Sequence, residues 1–213
     1  MEDYPKPVTK ESHAKISEYL DNSVYQIRGN EGKYGIGFFC FIKVHEKRIQ
    51  VLITNNQMID ENYLNNNNGV EILINKGQFR IEFDSMYYID KSLYISIIQI
   101  KENKKIKILE LDDSNYKEES EKYLNKESIY IINNNTVSYG IINNVNKSEL
   151  ILACNLNNIN TCPIFSLSTN KLIGIYQKKD KYYHKGIFLG YLIKQLESKY
   201  IKNDLQIIDN SKN

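Results

Sequence analysis

The stretch most informative about chemistry is residues 154–177, where a polar turn precedes a pair of apolar strands. Several hydrolases place a nucleophile in a turn of this kind, just before a hairpin. Asn158 and Asn160 in the turn carry neither a hydroxyl nor a thiol, so they cannot act as nucleophiles. Cys162 follows the turn, but its thiol needs a neighbouring base to become a thiolate. The turn has the setting of an active site without the usual nucleophile.

A base for Cys162 would have to be one of three histidines. His13 lies on a predicted N-terminal helix, His45 at a predicted hairpin tip and His184 in a predicted late turn, and none of these positions suits the role. The three cysteines and three histidines show no C-x-x-C or H-x-x-x-H spacing. Because glycine patterns for phosphate or dinucleotide binding are also absent, we expect neither a metal site nor a cofactor.

The composition indicates a folded protein without a strongly charged surface. A chain of 213 residues can form one good-sized domain or two small lobes. Its formal net charge of +2 is too small to argue for nucleic acid or an anionic membrane as a partner. An odd number of cysteines, a polar start and no apolar run of membrane-spanning length predict an intracellular protein that is not secreted.

A helix is predicted over residues 10–21, with Thr9 as its N-cap and Ala14, Ile16 and Leu20 as its apolar side. After this helix, short apolar runs alternate with polar turns and predict about six strands in each half of the chain. We expect no helix between the strands of the first half. Such spacing favours an antiparallel barrel or sandwich rather than alternating strands and helices.

A charged segment, residues 112–121, separates the two halves and is interpreted as a solvated linker. A closing helix is predicted over residues 191–200, followed by a tail. The fold class is therefore all-β, with two six-stranded antiparallel lobes and a helix at each end. The predicted boundaries are residues 1–22 for the arm and first helix, 23–110 for the first lobe, 111–126 for the linker, 127–190 for the second lobe and 191–213 for the last helix and tail.

Three motifs carry a resemblance to a known family. GIGFFCFI at residues 35–42, followed by VLITNNQ at 51–57, is similar to GTGFFxxI…VLITNNH. YISIIQI at 94–100 is similar to DITIIEI. NINTCPIF at 158–165, followed by KLIGI, is similar to GSSGSPI…KVIGI. In this order the motifs resemble the intracellular trypsin-like proteases of protists and large DNA viruses, which implies two chymotrypsin-like β-barrels with a cleft between them.

The resemblance also implies a catalytic position in each motif, and the chain departs from the family at all three. Gln57 stands at the general base, Tyr94 at the aspartate that orients it, and Asn160 at the serine nucleophile. A carboxamide cannot accept and return a proton near neutral pH, and a phenol cannot stabilise an imidazolium as a carboxylate does. Asn158 stands at the glycine of the oxyanion loop, a backbone position that asparagine tolerates better than most residues.

We therefore expect a catalytically inactive trypsin-like homologue that acts as a protein-binding or structural module, in a virion or another assembly. The candidates for the binding cleft are Cys162, Gln177, Lys178 and Lys179, and the two lysines would change or block peptide binding at their strand edge. The alternative is an active endopeptidase with Cys162 as nucleophile. The expected partner is another protein, and the sequence leaves its identity and the oligomeric state open.

Overall fold

The computed structural model describes residues 5–44, 47–74, 77–117, 120–133, 136–156, 161–179 and 183–210. Within these ranges the chain forms two closed antiparallel barrels of six strands each. The first barrel consists of β1 (Val24–Arg28), β2 (Tyr34–Val44), β3 (Lys47–Asn55), β4 (Gly69–Ile74), β5 (Gly77–Asp90) and β6 (Ile95–Ile100). The second consists of β7 (Ser128–Asn133), β8 (Thr136–Asn146), β9 (Glu149–Cys154), β10 (Cys162–Ser166), β11 (Leu172–Lys179) and β12 (His184–Phe188).

Both barrels have the same order of neighbouring strands. The first runs β1, β2, β3, β6, β5, β4 and closes from β4 to β1. The second runs β7, β8, β9, β12, β11, β10 and closes from β10 to β7. Closure removes the long unpaired edges that an open sheet exposes. The predicted all-β class with two six-stranded barrels is confirmed, and the arrangement fits a chymotrypsin-like fold.

Strand β2 shows why the motif at residues 35–42 is apolar on both faces. Phe39 points into the first barrel and joins its internal core. Phe38, Cys40 and Ile42 point the other way, into a core that also contains residues of the second barrel. A strand buried on both faces reads as a continuous apolar run rather than an alternating one. The run therefore reflects a barrel wall that is also an interface between barrels.

The N-terminal helix α1 (Lys10–Asn22) begins as predicted, with the side chain of Thr9 accepting a hydrogen bond from the Ser12 amide at 3.1 Å. Its buried face differs from the prediction, because Ile16 and Tyr19 are buried whereas Ala14 is exposed. The ring of Tyr19 stacks on Phe165 of the second barrel, with a centroid distance of 5.1 Å. A large aromatic side chain thus anchors the helix where a small alanine was expected.

A short helix, α2 (Glu61–Asn66), lies between β3 and β4, contrary to the prediction of no helix between the strands of the first half. A second short helix, α3 (Ser120–Leu124), lies within the predicted linker. Asp60 caps α2 by accepting a hydrogen bond from the Tyr63 amide at 2.8 Å. This aspartate is the sequence signal for the helix. The closing helix, α4 (Leu189–Asn210), is longer than predicted at both ends.

The segment between the barrels is packed, so the prediction of a solvated linker is wrong for its first part. The Leu109 amide donates to the Phe39 carbonyl at 2.8 Å, and the Leu172 amide donates to the Glu110 carbonyl at 2.8 Å. Asp112 and Asn115 follow and are buried. We call residues 109–116 the seam. It joins β2 of the first barrel to β11 of the second by backbone hydrogen bonds.

Candidate functional site

The position aligned with the family's base lies in the loop that follows β3. Gln57 is exposed, and its amide donates to the Asn55 side-chain oxygen at 2.8 Å. Its carbonyl accepts a hydrogen bond from the Asn30 side chain at 3.3 Å. Backbone contacts therefore fix this loop and leave the carboxamide of Gln57 at the surface.

Tyr94 lies beside that loop, at the start of β6. The Asn56 amide donates to the Tyr94 carbonyl at 3.2 Å, which places Tyr94 next to Gln57 at one end of the first barrel. Tyr94 has φ of 56° and is 45% exposed. A tyrosine in the left-handed region is unusual, since the side chain is crowded against its own backbone there. The turn thus holds the phenol outward rather than in the core.

Asp90 builds the turn that presents Tyr94. One of its carboxylate oxygens accepts hydrogen bonds from the Ser92 amide, the Ser92 hydroxyl and the Leu93 amide at 2.9, 2.6 and 2.9 Å. Burial alone would raise the pKa of Asp90, but these hydrogen bonds outweigh it and hold the pKa below its usual value. The sequence interpretation missed this residue, although Asp at the start of a D-x-S turn is a recognisable signal.

The second barrel reaches the same place through Thr161. Its hydroxyl accepts a hydrogen bond from the Asn55 side chain at 3.3 Å, and its amide donates to the Tyr176 carbonyl at 2.9 Å. These contacts place Thr161 beside the loop that contains Gln57. Asn158 and Asn160 themselves lie outside the described residues.

A second hydrogen bond crosses between the barrels close by. The side-chain amide of Gln177 donates to the Leu93 carbonyl at 3.0 Å. Together with the Asn55–Thr161 pair, it links the two loops of the first barrel to the ends of β10 and β11. We call this region the cleft. It contains Gln57, Tyr94, Thr161 and Gln177.

Beyond Tyr176, one edge of strand β11 has no partner strand among the described residues. Its pairing with β10 ends at Tyr176, whereas its pairing with β12 continues through Lys178 and Lys179. Within the described ranges no strand pairs with the other edge of these two lysines, and both side chains are exposed. An open edge of this kind can accept an extended peptide as an added strand.

Cys162 lies in the barrel core rather than in the cleft. It is fully buried, and its thiol donates to the Asn133 side-chain oxygen at 3.6 Å. Burial raises the pKa of Cys162 to about 12, which keeps it a neutral thiol at physiological pH.

His184 was predicted to lie in a late turn, and this is wrong. It is the first residue of β12 and is buried. Its Nδ1 lies 2.9 Å from the Tyr176 hydroxyl. Of the other two histidines, His13 is exposed on α1 and His45 lies outside the described residues.

Comparison with known proteins identifies no family for this chain. No protein-family model matches the chain, and no curated protein matches it significantly. In the described part of the chain, no helix is long and apolar enough to cross a membrane. The same ranges contain no group of three or more histidine, cysteine, aspartate or glutamate side chains that could hold a metal ion.

Proposed function

We propose that this chain is a catalytically inactive homologue of the trypsin-like proteases and acts as a protein-binding module. The observation that carries the proposal is the chemistry of the cleft. Amide and phenol groups stand at Gln57 and Tyr94, where acid–base catalysis needs an imidazole and a carboxylate. Amide side chains also make the two hydrogen bonds that cross between the barrels.

These crossing hydrogen bonds suit a binding role better than a structural one. Each is expected to contribute about 0.5–1.5 kcal/mol, because folding exchanges hydrogen bonds with water for hydrogen bonds within the protein. An arriving peptide can replace contacts of that strength. The open edge of β11 at Lys178 and Lys179 then offers backbone groups for strand addition, and the exposed ring of Tyr94 offers apolar surface.

The biological setting is part of the proposal and rests on the sequence resemblance alone. The partner is another protein, and the complex is a virion or a comparable assembly inside a cell.

Site-specific photo-crosslinking tests the binding role. A photoreactive phenylalanine analogue replaces Tyr94 in one variant and Tyr123 of α3 in another, since both tyrosines are well exposed. The expected result is one protein crosslinked in stoichiometric amount from position 94 and absent from position 123. Equal labelling from both positions, or none at 94 while native protein still co-purifies with a partner, would place the binding surface elsewhere and overturn the cleft proposal.

The second candidate function is a cysteine endopeptidase that uses Cys162. It is favoured by one observation: Cys162 is directly opposite Tyr176 in the β10–β11 ladder, and Tyr176 contacts His184. Against it stands the full burial of the thiol. Incubation with a casein substrate and a thiol-directed active-site probe separates the two functions. We expect no turnover, and turnover that disappears in Cys162→Ala would establish the endopeptidase.

A further inference from the structure

A cavity of about 480 Å³ lies at the end of the second barrel, where β9 and β11 end and β12 begins. Its wall includes Asn143, Cys154, Lys179, Tyr183 and His184. Cavities at the ends of barrels are frequent ligand sites, provided that a few polar groups converge on them. Here the lining residues come from or adjoin four neighbouring strands, β8, β9, β12 and β11, and are distinct from the Gln57 and Tyr94 loops.

His184 is the most constrained of these groups, with only 7% of its surface exposed. Its Nδ1 is engaged with the Tyr176 hydroxyl at 2.9 Å. Burial raises the pKa of Tyr176 to about 12, so this hydroxyl keeps its proton and can donate it to Nδ1. In the tautomer in which Nδ1 accepts from this hydroxyl, the neutral imidazole carries its own proton on Nε2, and Nε2 is then a donor.

Lys179 supplies a positive charge to the same cavity. It pairs directly with His184 across the β11–β12 ladder, and residues paired in this way point to the same face of a sheet. The charge of Lys179 and, to a larger extent, burial lower the pKa of His184, so the ring is neutral at physiological pH.

The described wall offers no negative charge to balance Lys179. None of its lining residues is an aspartate or a glutamate. Burial raises the pKa of Cys154 to about 12, so its thiol is also neutral. The nearby Lys185 already pairs with Glu149 at 3.4 Å and lies 5.3 Å from the centre of the Tyr183 ring.

We propose that this cavity is a carboxylate-binding pocket in which the anion accepts a hydrogen bond from His184 Nε2 and pairs with Lys179. An ionised acceptor forms stronger hydrogen bonds than a neutral one and would also balance the lysine charge. The carboxylate belongs to an acidic side chain or to the C-terminus of a peptide. This inference holds whether or not the cleft binds a partner.

The ring resonances of His184 report directly on occupancy, and nuclear magnetic resonance of the full chain follows them. His184→Asn assigns the signal by its loss, and the exposed His13 provides an internal reference. Sodium acetate is titrated against sodium chloride at equal ionic strength. We expect acetate, and not chloride, to shift the His184 signal saturably and to raise the pKa of His184, because a bound anion stabilises the imidazolium.

Charge-removing variants and two peptides complete the test. Lys179→Gln is expected to weaken acetate binding about tenfold, whereas Lys147→Gln, an exposed lysine of the same barrel outside the cavity, leaves it unchanged. A peptide with one internal glutamate and an amidated end is compared with a peptide that has a free C-terminus and no acidic side chain. The tighter peptide identifies the source of the carboxylate. The proposal fails if the His184 signal does not respond to any of these carboxylates, or if Lys179→Gln and Lys147→Gln bind acetate equally.

Discussion

Two of the regions that join the barrels, the seam and the cleft, differ in construction. In the seam, backbone groups of Leu109 and Glu110 pair with β2 and β11, and buried side chains surround them. In the cleft, two exposed or half-buried side-chain amides, those of Asn55 and Gln177, reach across. Backbone pairing is retained in any sequence that folds this way, whereas side-chain pairing depends on the particular residue. We therefore expect the contacts of the seam to persist and those of the cleft to break more readily.

Buried side chains of the seam also form a hydrogen-bond network. We expect this network to contribute more to stability than the hydrogen bonds of the cleft. Asp112 accepts hydrogen bonds from the Ser114 amide at 2.9 Å and the Thr169 hydroxyl at 2.6 Å. Asn115 donates to the carbonyls of Asp112 and Leu172 at 3.0 and 2.8 Å. Removing one partner of such a buried hydrogen bond destabilises the folded protein, because the other partner stays buried without a hydrogen bond.

The largest expected effect comes from breaking the seam. Asp112→Ala should lower the free energy of unfolding by about 3 kcal/mol, since hydrogen bonds to a charged group are the stronger ones and two donors lose their acceptor. Denaturant unfolding with an unchanged slope measures this. Asp113→Ala is the matched control, because its side chain is exposed, and it should change stability little. Equal losses in the two variants would contradict the role of the seam.

The next largest effect is expected from the apolar core between the barrels, and it is a gain of stability rather than a loss. Tyr130 stacks on Phe165 at 4.8 Å and is fully buried, yet its hydroxyl finds no hydrogen-bond partner among the described residues. Tyr130→Phe should therefore stabilise the protein by about 1 kcal/mol.

Tyr25→Phe is the control for this substitution. The buried Tyr25 hydroxyl accepts a hydrogen bond from the Lys107 amide at 2.6 Å, so its removal should destabilise the protein. Both substitutions remove one buried hydroxyl. They differ only in that the Tyr25 hydroxyl has a hydrogen-bond partner and the Tyr130 hydroxyl has none among the described residues. A loss of stability in both variants would mean that the Tyr130 hydroxyl is satisfied.

Removing a hydrogen bond of the cleft should destabilise the protein less than Asp112→Ala does. Asn55→Ala and Gln177→Ala are each expected to lower the free energy of unfolding by about 0.5–1.5 kcal/mol, the net value of one hydrogen bond between neutral groups. Hydrogen exchange sharpens the comparison: the Thr161 amide should exchange faster in Asn55→Ala, while the Leu109 and Leu172 amides of the seam keep their protection. Faster exchange at all three amides would show that the seam and the cleft open together.

The smallest expected effect is a pH dependence of stability. It distinguishes His184, at the end of the second barrel, from Asp112 in the seam. The folded pKa of His184 lies below the unfolded value of 6.5, so its contribution to stability is complete above pH 6.5 and is lost as the pH falls below it. For Asp112, burial opposes ionisation, but hydrogen bonds from Ser114 and Thr169 outweigh it and hold the pKa below 3.8. Its contribution is lost only below pH 3.8.

Unfolding measured between pH 8 and pH 3 therefore tests these two groups in turn. His184→Gln should remove the first decline and leave the second, whereas Asp112→Asn should leave the first decline and make the second smaller, since Asp90 also contributes to the second. If the first decline persists in His184→Gln, another group is responsible for it.

Much of the fold was predictable from local patterns. The two sets of strands, the Thr9 cap and the doubly apolar β2 follow from spacing and residue type, which act over a few residues. The buried seam was not predictable, because Asp112 and Asn115 look like surface residues until β11 packs against them. The Asn55–Thr161 pair was missed for a similar reason: 106 residues separate the two partners.

The sequence by itself determined which chemical groups stand at Gln57 and Tyr94, and so which reactions those groups cannot perform. Only the tertiary structure decided that their loops meet, that Thr161 and Gln177 reach them from the other barrel, and that Lys179 and His184 share one cavity. Side-chain chemistry is a property of each residue alone. The convergence of residues distant in the chain depends on barrel closure and register, which long-range packing decides.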